Sequence, residues 1–274
     1  MTKAAKRPVA MTIAGSDPGG GAGLQSDLKT FAAHRVYGFS VITAVIAQNS
    51  ARVTRVAPVA ASMVAEQIAT LAAERIPDAI KTGALGNAEI VSAVAQSIRD
   101  FKLPAPIVDP VLISSSGARL LDTDGEQALR TLLMPLARVI TPNIPEAAAL
   151  TGIEIDGPKA MRAAARTLRR LGARAVVIKG GHPFSGDKSD RDSSAIDLLF
   201  DGRSFIEFAS PRIKGGGAHG TGCVFSAAIA ARLALGDDLE TAVRHAKAFV
   251  TRALRARFVL SDQGRSLLDH FARR

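Results

Sequence analysis

Strand-like apolar runs alternate with helical patterns along most of this chain, and that rhythm limits the fold more than any other feature. Val9–Ala14 reads as a strand and Gly23–His34 as a helix; Phe39–Ala47 reads as one strand and Val59–Ala73 as a helix. Shorter runs follow at Ala79–Lys81, Ile107–Asp109, Val139–Thr141 and Val176–Lys179, each with a helical stretch beside it. Strands joined through crossover helices pair in parallel, and their sheet is covered on both faces. Ala195–Phe200 and Ser204–Phe208 flank Asp201-Gly202, a hairpin signal that adds an antiparallel edge. The expected class is therefore α/β, a mostly parallel central sheet with helices on both faces, read as one domain over 1–274. From Gly220 onward the pattern is mainly helical.

Ligands of open α/β sheets sit beyond the carboxyl ends of the strands. Here those ends are Ala14-Gly15-Ser16-Asp17, Gln48-Asn49, Lys81-Thr82-Gly83, Asp109-Pro110, Thr141-Pro142-Asn143 and Lys179-Gly180-Gly181-His182. They are expected to converge on one edge of the sheet. His182–Ser194, rich in Gly, Asp, Ser and Lys, is expected to be a mobile loop.

Gly215-Gly216-Gly217-Ala218-His219-Gly220-Thr221-Gly222-Cys223 runs straight into the apolar helix pattern of Val224–Ala231. A glycine-rich turn ending on a helix start gathers bare backbone N–H groups at the positive end of the helix dipole, a site suited to phosphate. Residues 215–220 match Gly-x-Gly-x-x-Gly, but no βαβ unit follows, which argues against a dinucleotide fingerprint. The chain has no Gly-Lys-Ser/Thr triplet, so a P-loop is excluded. Cys223 sits at the mouth of the turn. A helix start lowers a thiol pKa in principle, so Cys223 with nearby His219 is a candidate nucleophile, although no third member is evident. Its plain alternative is a small, inert, buried residue.

The 274 residues are 47% hydrophobic, enough for a full core. No apolar run approaches the ~20 residues of a transmembrane helix, and Met1–Pro8 shows no hydrophobic signal region, so no membrane partner is expected. One cysteine cannot form an internal disulfide, and a reducing cytoplasm is the expected compartment. The net charge of +10 gathers at residues 3–7, along 162–174 and after 252. Arg162, Arg166, Arg169 and Arg170 follow helical spacing opposite Met161, Ala164, Ala165, Leu168 and Leu171, the pattern of a solvated face. With one Tyr and no Trp there is no aromatic–basic interleaving, so no nucleic-acid partner is expected. A positive field can still draw in polyanionic nucleotides.

Asp109 and Glu146 follow two of the strands, each beside a proline. Magnesium in nucleotide sites takes one or two carboxylates plus phosphates and water; the plain alternative is a helix-capping Asp and a surface Glu. No His/Cys cluster has zinc spacing. Lys179, at a strand end before two glycines, can reach a phosphate or snorkel to solvent. Gln48 offers paired donors and acceptors to the edge of a heterocycle, or is an ordinary polar strand end.

Taken in order, these motifs resemble those of the hydroxymethylpyrimidine/phosphomethylpyrimidine kinases of thiamine synthesis. The likeness runs through Ala14-Gly15-Ser16-Asp17-Pro18-Gly19-Gly20-Gly21-Ala22-Gly23 and on to Phe31, then Tyr37–Ala44 with Ala47-Gln48-Asn49. It continues in Lys81-Thr82-Gly83-Ala84-Leu85-Gly86, Val108-Asp109-Pro110-Val111, Thr141-Pro142-Asn143-Ile144-Pro145-Glu146-Ala147, Lys179-Gly180-Gly181-His182 and His219-Gly220-Thr221-Gly222-Cys223. It covers about residues 9–258.

The resemblance implies a ribokinase-like fold and ATP-dependent phosphorylation of hydroxymethylpyrimidine, first to the monophosphate and then to the diphosphate, with Mg²⁺ as cofactor. It implies that Gln48, with Gly15, Ala22 and Asp27, forms the pyrimidine pocket, and that Gly220, Thr221 and Gly222 form an anion hole over the transferred phosphoryl group. Cys223 stands where sugar kinases of the wider superfamily carry an aspartate base. Asp109 and Glu146 would manage magnesium and its waters, Asn143 and Lys179 would contact ATP phosphates, and a homodimer is implied. A thiol in place of a carboxylate is expected to admit the phosphate monoester of the second transfer, which is mostly dianionic at pH 7 and needs no base. The rivals are a pyridoxal kinase and a non-catalytic pyrimidine-binding relative. The departures are Ser115-Ser116-Gly117 where the family often has Lys-Ser-Gly, Ala84 where methionine is common, Gly215–Ala218 in place of a more polar approach, and a tail, Ser261–Arg274, without a glycine-rich ending.

Overall fold

Val9–Ala14 forms β1, and every residue in it is buried. Along the chain it is followed by α1 (Gly23–Ala33), β2 (Tyr37–Ile42), β3 (Ala44–Gln48), β4 (Val53–Pro58), α2 (Ala61–Glu74), β5 (Ala79–Thr82) and α3 (Ala88–Asp100). Then come β6 (Ile107–Val108), α4 (Thr123–Ala128), β7 (Val139–Ile140), α5 (Ile144–Thr151), α6 (Pro158–Arg170) and β8 (Val176–Ile178). The hairpin β9 (Ser194–Phe200) and β10 (Phe205–Pro211) precedes α7 (Thr221–Ala234) and α8 (Leu239–Arg255). The computed structural model describes residues 6–114, 117–181, 194–213, 218–262 and 264–272. Expectations for Ser115, Ser116, residues 182–193 and Gly215–Gly217 lie outside the described residues.

Among the described residues eight strands form one sheet in the order β10-β9-β8-β7-β6-β5-β1-β2. The six from β8 to β2 are parallel, while β9 and β10 are antiparallel, as the Asp201-Gly202 turn suggested. The period-two alternation of the strands divides the core. Met11, Ile80, Val108, Ile140 and Ile178 pack on one face with α2, α3, α5 and α6 residues such as Val64, Val91, Ala147 and Leu168. Ala10, Ala79, Ile107, Val139 and Val177 pack on the other with Phe31 of α1, Ile229 of α7 and Val243 of α8. The expected α/β class, with helices on both faces and an antiparallel edge, holds.

Phe39–Ala47, read as one strand, is two. The chain leaves the main sheet at Thr43, whose hydroxyl donates to Ala84 O at 2.6 Å and whose N–H donates to Ala14 O at 3.1 Å. β3 then pairs antiparallel with β4, a strand that the sequence reading missed. On α6 the expected split holds for Met161, Ala164, Ala165 and Leu168, which are buried. Its outer arginines do more than meet solvent. Arg162 and Arg166 lie 5.4 and 4.9 Å from the centre of the Phe205 ring, and Arg162 pairs with Glu207 at 2.8 Å. Beyond Arg255 the helical expectation ends, and the tail folds back so that Ser266 O accepts from His219 N at 2.9 Å. Among the described residues no helix is long and apolar enough to cross a membrane.

Candidate active site

The parallel strands end on one cleft of ≈ 150 Å³. That is about ten times the space one water takes by the same measure, so it suits a small organic molecule. Its lining includes Gly15, Ala22 and Gln48 after β1 and in β3, Asp109, Asn143, Glu146 and Lys179 after β6, β7 and β8, and Gly220, Gly222 and Cys223 at the start of α7. The strand ends thus converge as expected. Two of the expected site residues, Asp27 and Thr221, are not in the lining.

Gly220 caps α7 with φ +84°, and a Cβ there would lie 1.8 Å from Gly21 O. Only glycine fits both the left-handed backbone and the close approach. The N–H groups of Thr221, Gly222 and Cys223 are the first three donors of the helix and have no carbonyl in its ladder. The Thr221 hydroxyl turns back to Ala218 O at 2.8 Å, so this residue offers its backbone to the cleft rather than its side chain.

The helix start had suggested a low thiol pKa for Cys223. The structure reverses this: burial pushes the thiol up to about 11, against the pull of Lys81 and a hydrogen bond from Gly23 N–H. Cys223 is therefore a neutral thiol at pH 7. His219, the nearby candidate base, is committed to Asp17 at 3.1 Å. A covalent thiol mechanism has neither its thiolate nor its base.

Asp17 ties the loop after β1 together. Its carboxylate accepts from the N–H groups of Gly19, Gly21 and Ala22 at 2.9, 3.1 and 2.7 Å. Burial raises its pKa, but hydrogen bonds from His219, Gln48 and Ala22 outweigh that and hold it at about 2. Sequence reasoning did not single out Asp17. Its signal was its place before three glycines, Gly19-Gly20-Gly21, where the tight loop leaves N–H groups to be met.

Asp109 Oδ1 accepts from Lys179 Nζ at 2.9 Å, and its Oδ2 from Ser226 Oγ at 3.0 Å. Burial works against the carboxylate, yet Lys179, Lys81 and Ser226 hold Asp109 below the usual carboxylate range. Asn143 and Glu146 form a reciprocal capping box on α5 at 2.8 and 2.9 Å. Glu146 is neither a surface residue nor only a cap: it borders the cleft, and burial and Asp109 raise its carboxyl. Two carboxylates in one cleft, one destabilised by the other's charge, are the hard oxygen donors a divalent cation relieves, so the residues fit magnesium.

Asp27 was expected in the pyrimidine pocket. It lies a layer deeper, where its Oδ2 accepts from Thr12 Oγ1 at 2.6 Å and Lys81 Nζ at 2.8 Å. Lys81, not Asp27, borders the cleft.

Comparison with known proteins gives one family. Residues 17–267 match the family model described as phosphomethylpyrimidine kinase. A hydroxymethylpyrimidine/phosphomethylpyrimidine kinase of Bacillus subtilis is 43% identical over 96% of this chain and 94% of its own. The bifunctional thiamine biosynthesis protein ThiED of Geobacter sulfurreducens is 45% identical over 89% of this chain, which spans about half (49%) of that protein. Among solved structures, a Bacillus subtilis pyridoxal kinase in an ADP complex superposes with a TM-score of 0.86 at 37% identity, covering 97% of this chain and 98% of the other. A phosphomethylpyrimidine kinase of Clostridium difficile gives 0.78 at 37% identity, covering 90% of this chain and 99% of the other.

Proposed function

The chain belongs to the phosphomethylpyrimidine kinase family, and from that premise we propose that it transfers the γ-phosphoryl of ATP to 4-amino-5-hydroxymethyl-2-methylpyrimidine and then a second phosphoryl to the resulting monophosphate. The diphosphate made this way serves thiamine diphosphate synthesis. The observation that carries this reading is the meeting, in one cleft, of the open N–H groups at the start of α7 with Lys179, Asp109 and Glu146.

Gln48, Gly15 and Ala22 would hold the pyrimidine, with the Gln48 amide meeting the ring edge. The N–H groups of Thr221 and Gly222 would cradle the phosphoryl group, with Gly220 shaping their turn. Lys179 supplies a positive charge where negative charge is greatest, and Asn143, fixed by its cap, borders the same region. Magnesium held by Asp109 and Glu146 would neutralise phosphate charge. Phosphoryl transfer is largely dissociative, so positioning and charge carry most of the rate. That is why a neutral Cys223 is tolerable as a poor base. We further propose a single catalytic domain working as a homodimer in the cytoplasm, which light scattering and fractionation test.

Similarity to pyridoxal kinases favours a second reading, phosphorylation of pyridoxal, and Ala84 in the lining leaves room for a larger ring. Incubation with ATP, Mg²⁺ and each alcohol, followed by product mass analysis, decides between them. Two added phosphoryl groups on the pyrimidine support the first reading. Turnover of pyridoxal alone replaces it with the second, and binding without turnover leaves only a ligand-binding protein.

A further inference from the structure

A fully buried lysine is rare unless it is paired, and none of the steps above uses Lys81. It lies in β5 beside Thr12 of β1, and Asp27 reaches it from the first turns of α1. Asp27 Oδ2 accepts from both Thr12 and Lys81, which fixes the carboxylate behind the ammonium. An ammonium has three N–H donors. Among the described residues Lys81 meets one acceptor, Asp27, and it borders the cleft while Asp27 does not. A Cβ on Gly83 would lie 3.0 Å from Lys81 Nζ, so the glycine leaves the ammonium room.

We propose that Lys81 is an electrostatic positioning residue of the phosphoryl-transfer site, presenting the positive end of a buried ion pair to the cleft beside Cys223. This rests on the kinase reading above. Buried ion pairs give little net stability over apolar residues of the same size, so stability alone does not account for this one. A fixed charge aimed at a dry reaction site, by contrast, needs no reorganisation when negative charge arrives. Lys81, Asp109 and Lys179 line the cleft together with Cys223, and of the charges that act on the thiol Lys81 favours its ionised form while Asp109 and Asp27 oppose it. Burial works against the charge on Lys81, but the Asp27 and Asp109 carboxylates keep it protonated. The effect should be larger in the second transfer, where the acceptor itself brings nearly two negative charges.

The test is Lys81→Met combined with Asp27→Asn, which removes both charges and leaves no uncompensated one. Should this pair not fold, Lys81→Gln with Asp27→Asn keeps a neutral hydrogen bond in place of the ion pair and is read the same way. With the thermal melt retained, kcat/KM for the monophosphate acceptor is expected to fall about tenfold more than that for the alcohol. Alkylation of the single cysteine by iodoacetamide at pH 8.5 is expected to slow, because Lys81 favours the thiolate more than Asp27 opposes it and losing both lowers the thiolate fraction. A folded variant whose two transfers change by the same factor, or whose thiol reacts at the wild-type rate, overturns the proposal. A wild-type protein inert toward both acceptors instead overturns the kinase reading, and the alkylation arm still decides whether Lys81 acts on Cys223.

Discussion

Asp17 Oδ2 lies 3.1 Å from His219 Nε2 and joins two loops 202 residues apart in the chain. Because Asp17 is ionised and can only accept, His219 Nε2 carries the proton of this bond. The bond sets the loop after β1 against the turn that opens α7, where Gly21 O and Gly220 are in contact. The geometry of the proposed anion hole therefore depends on a carboxylate that need not touch substrate.

Asp17→Asn should weaken the acceptor for three backbone N–H groups and His219 together. A loss of about 2 kcal/mol is expected in urea unfolding at pH 7, from the worth of hydrogen bonds to a charged group. The pH dependence carries the same signature. The folded pKa of about 2 is below the usual 3.8, so this contribution is complete above about pH 4 and is lost as pH falls toward 2. Wild-type stability should drop more steeply than that of Asp17→Asn across that window; parallel curves would contradict the bond's role.

Gly220→Ala is expected to abolish most activity and to lower stability as well. Its Cβ meets the Gly21 carbonyl, and its φ of +84° disfavours any side chain, a strain of about 1–3 kcal/mol. The loop must shift, and the N–H groups behind it shift too. Displacing such donors is expected to lower kcat about a hundredfold. Steady-state kinetics beside a thermal melt check this. Gly222→Ala, whose Cβ would meet the Lys179 ammonium at 3.1 Å and Asp109 Oδ2 at 4.0 Å but no backbone atom, should be milder.

The neutral Cys223 thiol predicts a split between the two half-reactions. Cys223→Ala should leave both transfers measurable. Cys223→Asp places a carboxylate where a dianionic acceptor must fit, so the second transfer should fall by about tenfold or more relative to the first. Equal rates for the second step in wild type and Cys223→Asp would falsify this. With the thiol held at about 11 by burial, the pH–rate profile should show no thiol ionisation below about pH 9.

The sheet and the cleft were legible because each parallel strand is a short apolar run ended by polar residues, and strand polarity alone brings those ends together. The break at Thr43 was not legible. Ala44-Val45-Ile46-Ala47 continues the apolar run of β2, and only the hydrogen bonds of Thr43 to Ala14 and Ala84 show the chain leaving the sheet. Val45, 58% exposed, is apolar without being core. Asp27 was placed one layer too high, because a motif shows that a residue matters but not which way its helix turns it. For Cys223 the sequence offered both a reactive thiolate and a neutral thiol: the helix start is visible in the sequence, whereas the burial that decides for the neutral form is not. Asp17 and Lys81 were legible only as polar strand ends and not by role, because their partners, His219 and Asp27, are distant in sequence.

Lys179 and Asp109 form a 2.9 Å ion pair in the cleft, and the two partners should fail differently. The Lys179 ammonium would lie 3.1 Å from a Cβ on Gly222, so it sits against the opening turn of α7 where the transferred group is proposed to rest. Lys179→Met should lower kcat about a hundredfold, because its charge matters most as negative charge builds in the transition state. Arginine should rescue poorly, since a planar fork does not replace a point charge in that space. Asp109→Asn should instead raise the Mg²⁺ concentration for half-maximal rate, by about tenfold or more. Rates measured across Mg²⁺ and ATP concentrations separate the two. If Lys179→Met changes only the KM for ATP, the lysine binds nucleotide without favouring the transition state. If Asp109→Asn leaves the Mg²⁺ dependence unchanged, Asp109 serves only to hold Lys179 in place.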